Sequence, residues 1–349
     1  MKYNIYLLLL VFVILSCKED PIQEPDNTEG KKGVLILNEG LFQQNNAALS
    51  YLDDSGVLNN DYFLNQNGRL LGDTGNDMIA HGGKIYIVVH ASSTVEVLSR
   101  STLKSVRQIK LQYQGQNQMP RFAIGKDENV YVSSYDGYIN VIDTSSLTVT
   151  QRIEVGNNPE GLAISNNKLY VANSGGLNSP IYDSTLSVID LMTLSVEDEV
   201  FVGANPGEVI SDAQGDIYLV KRGDYGSDPS RLLRIDPQNG NQVSDLGIAA
   251  NSLFLDDSEK LWVASFDYGS EESGIAIWDA STEVIVSQSF IDASDIESLY
   301  GVFVNENKLY CMDARGFTLT GKVKIYNATT GVFIEEKELG LNPNTMIKL

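Results

Sequence analysis

Cysteine and histidine are scarce in this chain, with two of each among 349 residues. Two cysteines are too few for the disulfide framework of a small secreted domain, and the two histidines do not stand in a zinc-ligand spacing. Basic residues are also few, since 25 lysines and arginines face 46 aspartates and glutamates, a net charge of −21. A field of this sign repels nucleic acid and anionic lipid, so the composition excludes a nucleic-acid-binding protein.

Long apolar runs are lacking as well. The run over residues 5–15 has 11 residues, which is too short to cross a bilayer and typical of a signal-peptide core. It ends in the letters ILSC, which resemble the motif cleaved by the bacterial lipoprotein peptidase. We therefore expect residues 1–16 to be a signal peptide and Cys17 to become the lipidated N-terminus. The alternative is an ordinary secretory signal followed by an unrelated cysteine.

The segment behind Cys17 is polar. It begins with KED, and an acidic cluster at this place looks like the surface-export signal of Bacteroidetes lipoproteins. Residues 17–32 are rich in Pro and Glu, which predicts a flexible tether. We therefore expect a lipid-anchored protein of the outer membrane, exposed at the cell surface and attached to the membrane through its anchor only.

An internal repeat decides the fold prediction. A polar turn followed by an apolar strand with a central aromatic residue recurs six times, for example as GGKIYIVVH over residues 82–90 and NNKLYVANS over residues 166–174. The aromatic anchors are 39 to 48 residues apart, which is the spacing of four-stranded propeller blades. The six anchors are Tyr86, Tyr131, Tyr170, Tyr218, Trp262 and Tyr310.

Two further phrases complete each repeat. After each anchor, apolar and polar residues alternate on both sides of an Asp-type turn, which predicts a hairpin of half-buried strands. Before several anchors, an Asn-Pro turn leads into the strand that we expect to be innermost, lining a central channel. The turn carboxylates are expected to accept backbone N–H groups, and we exclude them as catalytic acids. These are Asp143, Asp190, Asp236 and Asp279.

The two ends of the chain complete a seventh repeat. Residues 33–40 and 48–63 supply a second, third and fourth strand without a first, whereas residues 344–349 supply a first strand alone. Joining them closes a ring and removes a free sheet edge. We therefore predict an all-β fold over residues 33–349, a seven-bladed β-propeller of four-stranded blades closed by pairing of the N- and C-terminal strands.

The loops between second and third strands, and between a fourth strand and the next first strand, share one face of such a ring, which we call the loop face. Aromatic, amide and arginine side chains dominate it, which favours binding of a large polar or amide-bearing ligand. The alternative is a set of solvated loops without a ligand. The ligand-binding candidates are Phe42, Asn46, Arg69, His90, Tyr113, Arg121, Tyr135, Asn173, Tyr182, Arg222, Tyr225, Tyr268, Arg315 and Phe317.

The letters DYGS occur in equivalent loops of two adjacent repeats, at 224–227 and 267–270. We therefore expect Tyr225 and Tyr268 to lie close together. The alternative is a structural calcium ion, because these loops carry carboxylates, although without a full ligand spacing. The carboxylates concerned are Asp224, Asp228, Asp267 and Glu271.

Catalytic motifs are absent from the sequence. His81 and His90 belong to no metal-ligand motif, and there is no Gly-x-Ser-x-Gly, Walker or dinucleotide fingerprint. Cys311 follows an apolar strand pattern, which predicts a small buried hydrophobic residue, with a reactive thiol as the alternative. The prediction is a protein that is not an enzyme and has neither catalytic residues nor a cofactor.

Two resemblances narrow the function. The phrases NPEGLAIS, NNKLYVANS and STLSVIDLMTLSV resemble the YVTN or surface-layer type of β-propeller. The opening GVLILNEGLFQQNNAALSYLD, with LGDTGNDMIAHGGKIYIVV, resembles a Bacteroidetes lipoprotein propeller family that includes the surface vitamin B12-binding lipoproteins, lids on a TonB-dependent cobalamin receptor. The resemblance implies capture of a cobamide and its transfer to a TonB-dependent outer-membrane receptor. It assigns no individual ligand contact, because the loops share no short motif with the family.

Two other functions stay open. The same face is also suited to a protein or glycan partner in adhesion or as a scaffold. A calcium-dependent enzyme of the lactonase type would instead hold a metal in the central channel. Its ligands would be Glu39, Asn173, Asn205 and Asn251.

Overall fold

Short strands with buried apolar residues recur along the whole described chain. The computed structural model describes residues 31–267 and 272–349. The first blade has β1 (Gly33–Asn38), β2 (Ala48–Asp53) and β3 (Leu58–Asn59), followed by the helix α1 (Tyr62–Asn67). The second has β4 (Gly75–His81), β5 (Lys84–Val89), β6 (Thr94–Ser99) and β7 (Ser105–Lys110), followed by a small hairpin of β8 (Gln112–Tyr113) and β9 (Gln116–Asn117).

The next two blades follow the same order. The third has β10 (Pro120–Lys126), β11 (Asn129–Ser134), β12 (Tyr138–Asp143) and β13 (Thr148–Glu154). The fourth has β14 (Pro159–Ser165), β15 (Lys168–Asn173), β16 (Thr185–Asp190) and β17 (Ser195–Phe201), with a 3-10 turn at Gly176–Asn178.

The last three blades complete the ring. The fifth has β18 (Pro206–Ser211), β19 (Ile217–Lys221), β20 (Arg231–Asp236) and β21 (Gln242–Asp245), with a 3-10 turn at Pro237–Asn239. The sixth has β22 (Ser252–Leu255), β23 (Lys260–Asp267), β24 (Glu272–Asp279) and β25 (Val284–Ser287). The seventh has β26 (Leu299–Asn305), β27 (Lys308–Asp313), β28 (Thr320–Asn327) and β29 (Phe333–Leu341), with a 3-10 turn at Arg315–Phe317, and β30 (Pro343–Lys348) ends the chain.

The final strand belongs to the first blade. β30 pairs antiparallel with β1, with Val34 opposite Lys348 and Leu37 opposite Thr345, so the sheet order is β3-β2-β1-β30. The other six four-stranded sheets each use four consecutive strands, and β8 and β9 form a separate two-stranded sheet. The prediction of an all-β, seven-bladed propeller closed by its two ends is therefore confirmed.

The core lies between neighbouring sheets. All six aromatic anchors are at most 5 % exposed, because each second strand is covered on both faces. One cluster joins Tyr86 and Val88 of the second blade to Val130 and Ile142 of the third. Removing this apolar surface from water is the main term that holds each blade against the next. Cys311 is fully buried in such a cluster, as predicted.

The Asp-type turns between third and fourth strands also form as predicted. The Asp143 carboxylate accepts the backbone N–H groups of Ser145 and Ser146, and Asp190 accepts those of Met192 and Thr193. These backbone hydrogen bonds lower the pKa of both carboxyls below the ordinary range.

The first blade departs from the prediction in its outer strand. β3 has only two residues, and the chain then turns into α1, which buries Tyr62 and Phe63 in the core between the first and second blades. Gly68 ends this helix in the left-handed conformation. At six residues α1 is the longest helix in the described part of the chain, where no helix has the length and apolar content to cross a bilayer.

Several innermost strands begin with the same backbone feature, a residue with a positive φ angle before a proline. Asn158, Asn205 and Asn342 adopt positive φ angles of 45° to 59° immediately before a proline. The pairing register then shifts at the start of β14, β18 and β30. Such a bulge redirects the following side chains, here toward the central channel.

Candidate functional site

The loop-face end of the central channel holds a cluster of polar side chains that we call the mouth. Its residues come from the starts of the inner strands and from the ends of the second strands, because both meet at this face. The mouth consists of Glu39, Arg121, Tyr135, Glu160, Arg222 and Tyr300.

Glu160 is the centre of the mouth. Its Oε2 accepts hydrogen bonds from Nε and Nη2 of Arg121 at 3.2 and 3.1 Å, and its Oε1 lies 3.5 Å from Nη1 of Arg222. The Tyr135 hydroxyl also donates to Oε1. Burial alone would raise the pKa of Glu160, but the two guanidinium charges and the tyrosine lower it below its ordinary value. Glu160 is therefore a buried anion between two cations.

Tyr135 is held in place by two neighbouring side chains and a backbone hydrogen bond. The Arg121 guanidinium carbon lies 4.8 Å from the centre of its ring, and the His90 ring packs against it edge-on at 5.2 Å. The Asn158 side chain donates to the Tyr135 carbonyl at 3.0 Å. Burial raises the pKa of the Tyr135 hydroxyl, so it stays protonated and acts as a donor at neutral pH.

His90 lies behind this tyrosine. Its Nδ1 is 3.1 Å from the Pro120 carbonyl oxygen, which only accepts, so Nδ1 carries the proton. Burial, with the charge of Arg121, lowers the pKa of His90 to about 4. A neutral ring, 6 % exposed, supports Tyr135 and has little surface for a ligand.

Glu39 and Tyr300 form the opposite wall of the mouth. The Tyr300 hydroxyl donates to Oε2 of Glu39 at 2.7 Å, and the Tyr300 ring packs edge-on against Phe317 at 5.1 Å. Burial raises the pKa of Glu39 above its ordinary value. The Glu39 carboxyl on this wall is therefore protonated more readily than an exposed glutamate.

Arg222 connects the mouth to a cleft between the fifth and sixth blades. The cavity at the mouth has a volume of about 110 Å³ and the cleft about 600 Å³, and both are lined by Arg222, Tyr225, Asn251 and Phe266. The Tyr225 side chain is 62 % exposed, and its ring lies 6.3 Å from that of Tyr182. The mouth and the cleft are thus one continuous surface with a guanidinium at their junction.

A second chamber of about 350 Å³ lies deeper in the channel. Two carboxyls, those of Glu208 and Asp77, line this chamber. Glu208 accepts the N–H of Leu253 at 2.8 Å, and Asp77 accepts the N–H of Ala123 at 2.8 Å. Burial raises the pKa of Glu208 to about 7 and that of Asp77 to about 6. The remaining wall is largely apolar, with Phe303 among its residues.

The structure brings only part of the predicted set together. Arg121, Tyr135 and Arg222 meet at the mouth. Tyr225 lines the cleft, with Tyr182 packed against it. His90 and Phe317 support mouth residues from behind.

Several other candidates have structural partners elsewhere. Arg69 pairs with the fully buried Glu96 of β6, with Nη2 2.8 and 2.9 Å from its two oxygens. Asn173 is also fully buried and donates to hydroxyls within the fourth blade, at the end of a strand rather than in a loop. Asn46 accepts the N–H of Leu41 and so shapes its own loop. Arg315 donates to the Thr320 carbonyl across its own loop.

Three further ligand-binding candidates, and the expected lipidation site, fall outside the mouth or outside the described residues. Phe42 is 59 % exposed on the loop face. Tyr113 lines a different cavity, together with Arg152. Cys17 and Tyr268 lie outside the described residues, as does the predicted contact between Tyr268 and Tyr225.

In the loops considered for calcium, Asp224 and Asp228 form hydrogen bonds and ion pairs within the protein. Asp224 accepts N–H groups of Gly226 and Asp228 in its own loop, and Asp228 pairs with Lys221. Glu271 lies outside the described residues. Within residues 31–267 and 272–349, no three His, Cys, Asp or Glu side chains are grouped closely enough to hold a metal ion.

Sequence reasoning missed the central anion. Glu160 stands inside the phrase NPEGLAIS, and Arg121 occupies the same place after Met119-Pro120. A charged residue directly after the proline of an innermost strand was the available signal, because that strand was expected to line the channel. Glu208 carries the same signal one position further along, after Pro206 and Gly207, whereas no proline precedes Asp77 in its strand.

Comparisons with known proteins give a family and a fold. A family model described as a domain of unknown function (DUF5074) matches residues 32–337. No curated protein matches the chain.

Two solved structures share the architecture. The hydrazine synthase of Kuenenia stuttgartiensis is 15 % identical, with a TM-score of 0.61 over 77 % of this chain and 87 % of that one. A candidate 6-phosphogluconolactonase of Bacteroides uniformis ATCC 8492 is 11 % identical, with a TM-score of 0.61 over 92 % of this chain and 100 % of that one. At these identities the similarity concerns the fold alone.

Proposed function

The chain belongs to the DUF5074 family, which is defined only as a domain of unknown function, and from this premise we propose that it binds a cobamide-type nutrient at the mouth and the adjoining cleft. In this proposal the protein is a lipid-anchored receptor component at the cell surface, not an enzyme. It passes the nutrient to a TonB-dependent outer-membrane receptor.

The observation that carries the proposal is the position of Arg222. Its guanidinium lines both cavities, in a protein whose net charge is −21. Arg231 also lines the cleft. A cobamide carries a phosphodiester, and arginine recognises such a group through paired N–H donors.

The rest of the cleft suits the amide-edged corrin ring. Tyr225 and Phe266 supply aromatic surface, and Asn251 supplies an amide that both donates and accepts. A cleft of about 600 Å³ would enclose part of such a ligand and leave the remainder on the loop face. Because the lining residues stand on rigid blades, little conformational entropy would be lost on binding.

The expected anchor is compatible with transfer toward the membrane. The first strand of the described chain, β1, starts on the face opposite the mouth, because second strands end at the loop face. The sixteen residues of the expected tether reach at most about 58 Å when extended. A seven-residue inner strand spans only about 23 Å. The tether is therefore long enough for the loop face to turn toward the membrane.

The loop face also carries exposed apolar side chains that suit a protein partner. They stand in loops of four different blades, and apolar and aromatic residues of this kind form the centres of protein interfaces. In the proposal they contact the outer-membrane receptor. They are Phe42, Leu177, Ile181, Tyr225 and Leu319.

Titration of residues 31–349 with cyanocobalamin tests the ligand. We expect heat and a change in the corrin absorbance at micromolar protein, with affinity reduced at least about tenfold by Arg222→Ala. Arg315→Ala, a loop-face arginine bonded within its own loop, is the matched control and should leave affinity unchanged. Absence of both heat and spectral change with the wild-type protein would overturn the cobamide proposal.

The transfer step needs a second experiment. The full chain would be expressed with the TonB-dependent receptor encoded nearest to its gene, in a host that lacks its own cobalamin receptor. We expect the wild type to lower the cobalamin concentration needed for growth, and Cys17→Ala and Arg222→Ala to remove this advantage. Equal growth with and without the protein would contradict a role in uptake.

A protein-interaction role is the second candidate, favoured by the exposed apolar set on the loop face. It predicts that Phe42→Ser with Ile181→Ser abolishes binding of the purified receptor whether or not cyanocobalamin is present. If cyanocobalamin does not bind but receptor binding is tight and lost in this double variant, the interaction role replaces the nutrient role.

A further inference from the structure

A groove of about 840 Å³ lies between the second and third blades, at the outer side of the ring. Its walls come from β7 and β13, and the hairpin of β8 and β9 closes one end. We call it the inter-blade groove. It shares no lining residue with the mouth or with the cleft, so a ligand there would be independent of the function proposed above.

The charge of the inter-blade groove is opposite to that of the whole protein. Arg107, Lys110 and Arg152 line it, whereas none of its described lining residues is Asp or Glu. Arg152 is partly neutralised by Asp136, with which it forms an ion pair. A local excess of cations in a chain with a net charge of −21 favours an acidic ligand.

Two buried polar atoms in the groove lack partners. Asn140 and Arg152 are cross-strand neighbours, and the Asn140 side chain is fully buried. Its amide nitrogen donates to the Ser134 hydroxyl, but Oδ1 has no hydrogen-bond partner, and neither has Nε of Arg152. Leaving such groups unpaired costs free energy. One hydroxyl group can donate to the first atom and accept from the second.

An aromatic platform stands at the end of the groove. The guanidinium carbon of Arg152 lies 4.4 Å from the centre of the Tyr113 ring and 3.9 Å from that of Tyr138, so it is held between the two. The Tyr113 side chain, on the hairpin, is 52 % exposed. A half-exposed tyrosine provides an apolar surface for the C–H face of a pyranose ring.

Amide side chains complete the lining, and their orientations are fixed. The Gln108 amide donates to Glu96 at 3.1 Å, that of Gln112 to Asn117 at 2.9 Å, and that of Gln118 to Asp136 at 3.2 Å. Ordered amides are suited to recognising hydroxyl groups, because each presents a donor and an acceptor.

We propose that the inter-blade groove binds an acidic oligosaccharide, with hydroxyls between Asn140 and Arg152, a sugar ring on Tyr113 and carboxylates near Lys110 and Arg107. A nucleic acid would bring a much denser negative charge against an acidic protein. A short uronic-acid oligomer combines the hydroxyls that the unpaired atoms need with few charges.

Calorimetric titration of residues 31–349 with trimers of galacturonate, guluronate and mannuronate tests the proposal. We expect at least one of them to bind, and added salt to weaken it. Tyr113→Ala and Lys110→Gln should each reduce affinity at least about tenfold, with unchanged thermal melting. Tyr225→Ala is the matched control, since it removes an exposed tyrosine from the cleft and should leave this affinity unchanged.

The remaining outcomes overturn the proposal. Absence of binding by all three trimers would remove it. Equal affinity for maltotriose would show that charge plays no part, and equal affinity for triglutamate would show that the groove selects charge instead of sugar. Loss of binding in Tyr225→Ala, with full affinity retained in Tyr113→Ala, would place the site at the cleft. None of these results depends on cyanocobalamin binding.

Discussion

The guanidinium of Arg222 lies against the backbone of Gly207. A Cβ atom at Gly207 would stand 2.7 Å from both Cζ and Nε of Arg222, closer than non-bonded atoms approach. Gly207 does not have a positive φ angle. The glycine is therefore required by this close approach and not by its backbone conformation.

Gly207→Ala should displace the Arg222 guanidinium from the mouth. Because the contact is with the end of a flexible side chain, we expect unfolding free energy to fall by only about 1 kcal/mol. Affinity for the loop-face ligand should fall about tenfold. Urea unfolding and calorimetric titration with cyanocobalamin measure the two effects.

A double-mutant cycle separates this contact from a general disturbance of the loop. In an Arg222→Ala background, Gly207→Ala should change neither stability nor residual affinity by more than about 0.5 kcal/mol. Additive losses in the double variant would show that the glycine acts independently of the arginine.

Glu160→Gln should destabilise the fold at neutral pH. The change leaves Arg121 and Arg222 close together without their buried counter-charge, which typically costs about 3 kcal/mol. The folded-state pKa of Glu160 is lowered, so its contribution is present above pH ~4.5 and is lost as pH falls through the folded value. Urea unfolding at pH 7 and pH 3.5 should show a large difference from wild type at the first and a smaller one at the second.

A surface pair provides the control for this prediction. Glu306 pairs with Lys348 at 3.2 Å, and both side chains are more than half exposed. Glu306→Gln should change unfolding free energy by no more than about 0.5 kcal/mol at either pH. Equal effects of the two substitutions would contradict a special role for Glu160.

Glu208→Gln should stabilise the protein at alkaline pH. Burial raises the folded-state pKa to about 7, so the folded state holds this proton more tightly than the unfolded chain. Unfolding free energy therefore falls as pH rises from about 4.5 to 7 and then levels off. The neutral amide removes this fall and can still accept the N–H of Leu253.

Chemical denaturation of wild type and Glu208→Gln at pH 5 and pH 8 measures this effect. The variant should be more stable at pH 8 by roughly 2 kcal/mol and similar to wild type at pH 5. Glu128→Gln, at an exposed turn, should follow the wild-type profile at both pH values. Parallel profiles for Glu208→Gln and wild type would mean that Glu208 is ionised in the folded protein across this range.

Removal of residues 342–349 should abolish cooperative folding. It takes away β30, exposes the edge of β1 and opens the ring at its axis. We expect a polydisperse product without a sharp thermal transition. A chain that begins at Lys31 is the control, because pairing starts only at Gly33, and it should melt like the full chain. A cooperative transition in the truncated protein would show that six blades suffice.

The blades were predictable because their signals are local. Each aromatic anchor, Asp-type turn and Asn-Pro turn lies within a window of about 45 residues, and its chemistry is visible without knowing the rest of the chain. Closure of the ring followed from the same reasoning, since the end fragments 33–40 and 344–349 each lacked what the other supplied. The short β3 and the helix α1 were not predicted, because the burial of Tyr62 and Phe63 depends on contacts with the second blade.

The residues that form the mouth could be identified only from the tertiary structure. Arg69 and Arg222 are both arginines near the loop face, yet one is held by the buried Glu96 on the second blade and the other enters the channel. The sequence positions of the two arginines do not distinguish them. The direction that each side chain takes depends on which neighbouring blade presents a carboxylate to it.

The amino-acid sequence by itself determined the seven-bladed ring, its closure and the face on which the variable loops gather, because strand alternation and turn chemistry act over short distances. The tertiary structure alone decided that Arg121, Glu160 and Arg222 meet, since they stand on three successive blades. The bulges at the starts of the inner strands arise from turns before proline within single repeats. Only the curvature of the ring, which no single repeat determines, brings the charges of different blades together.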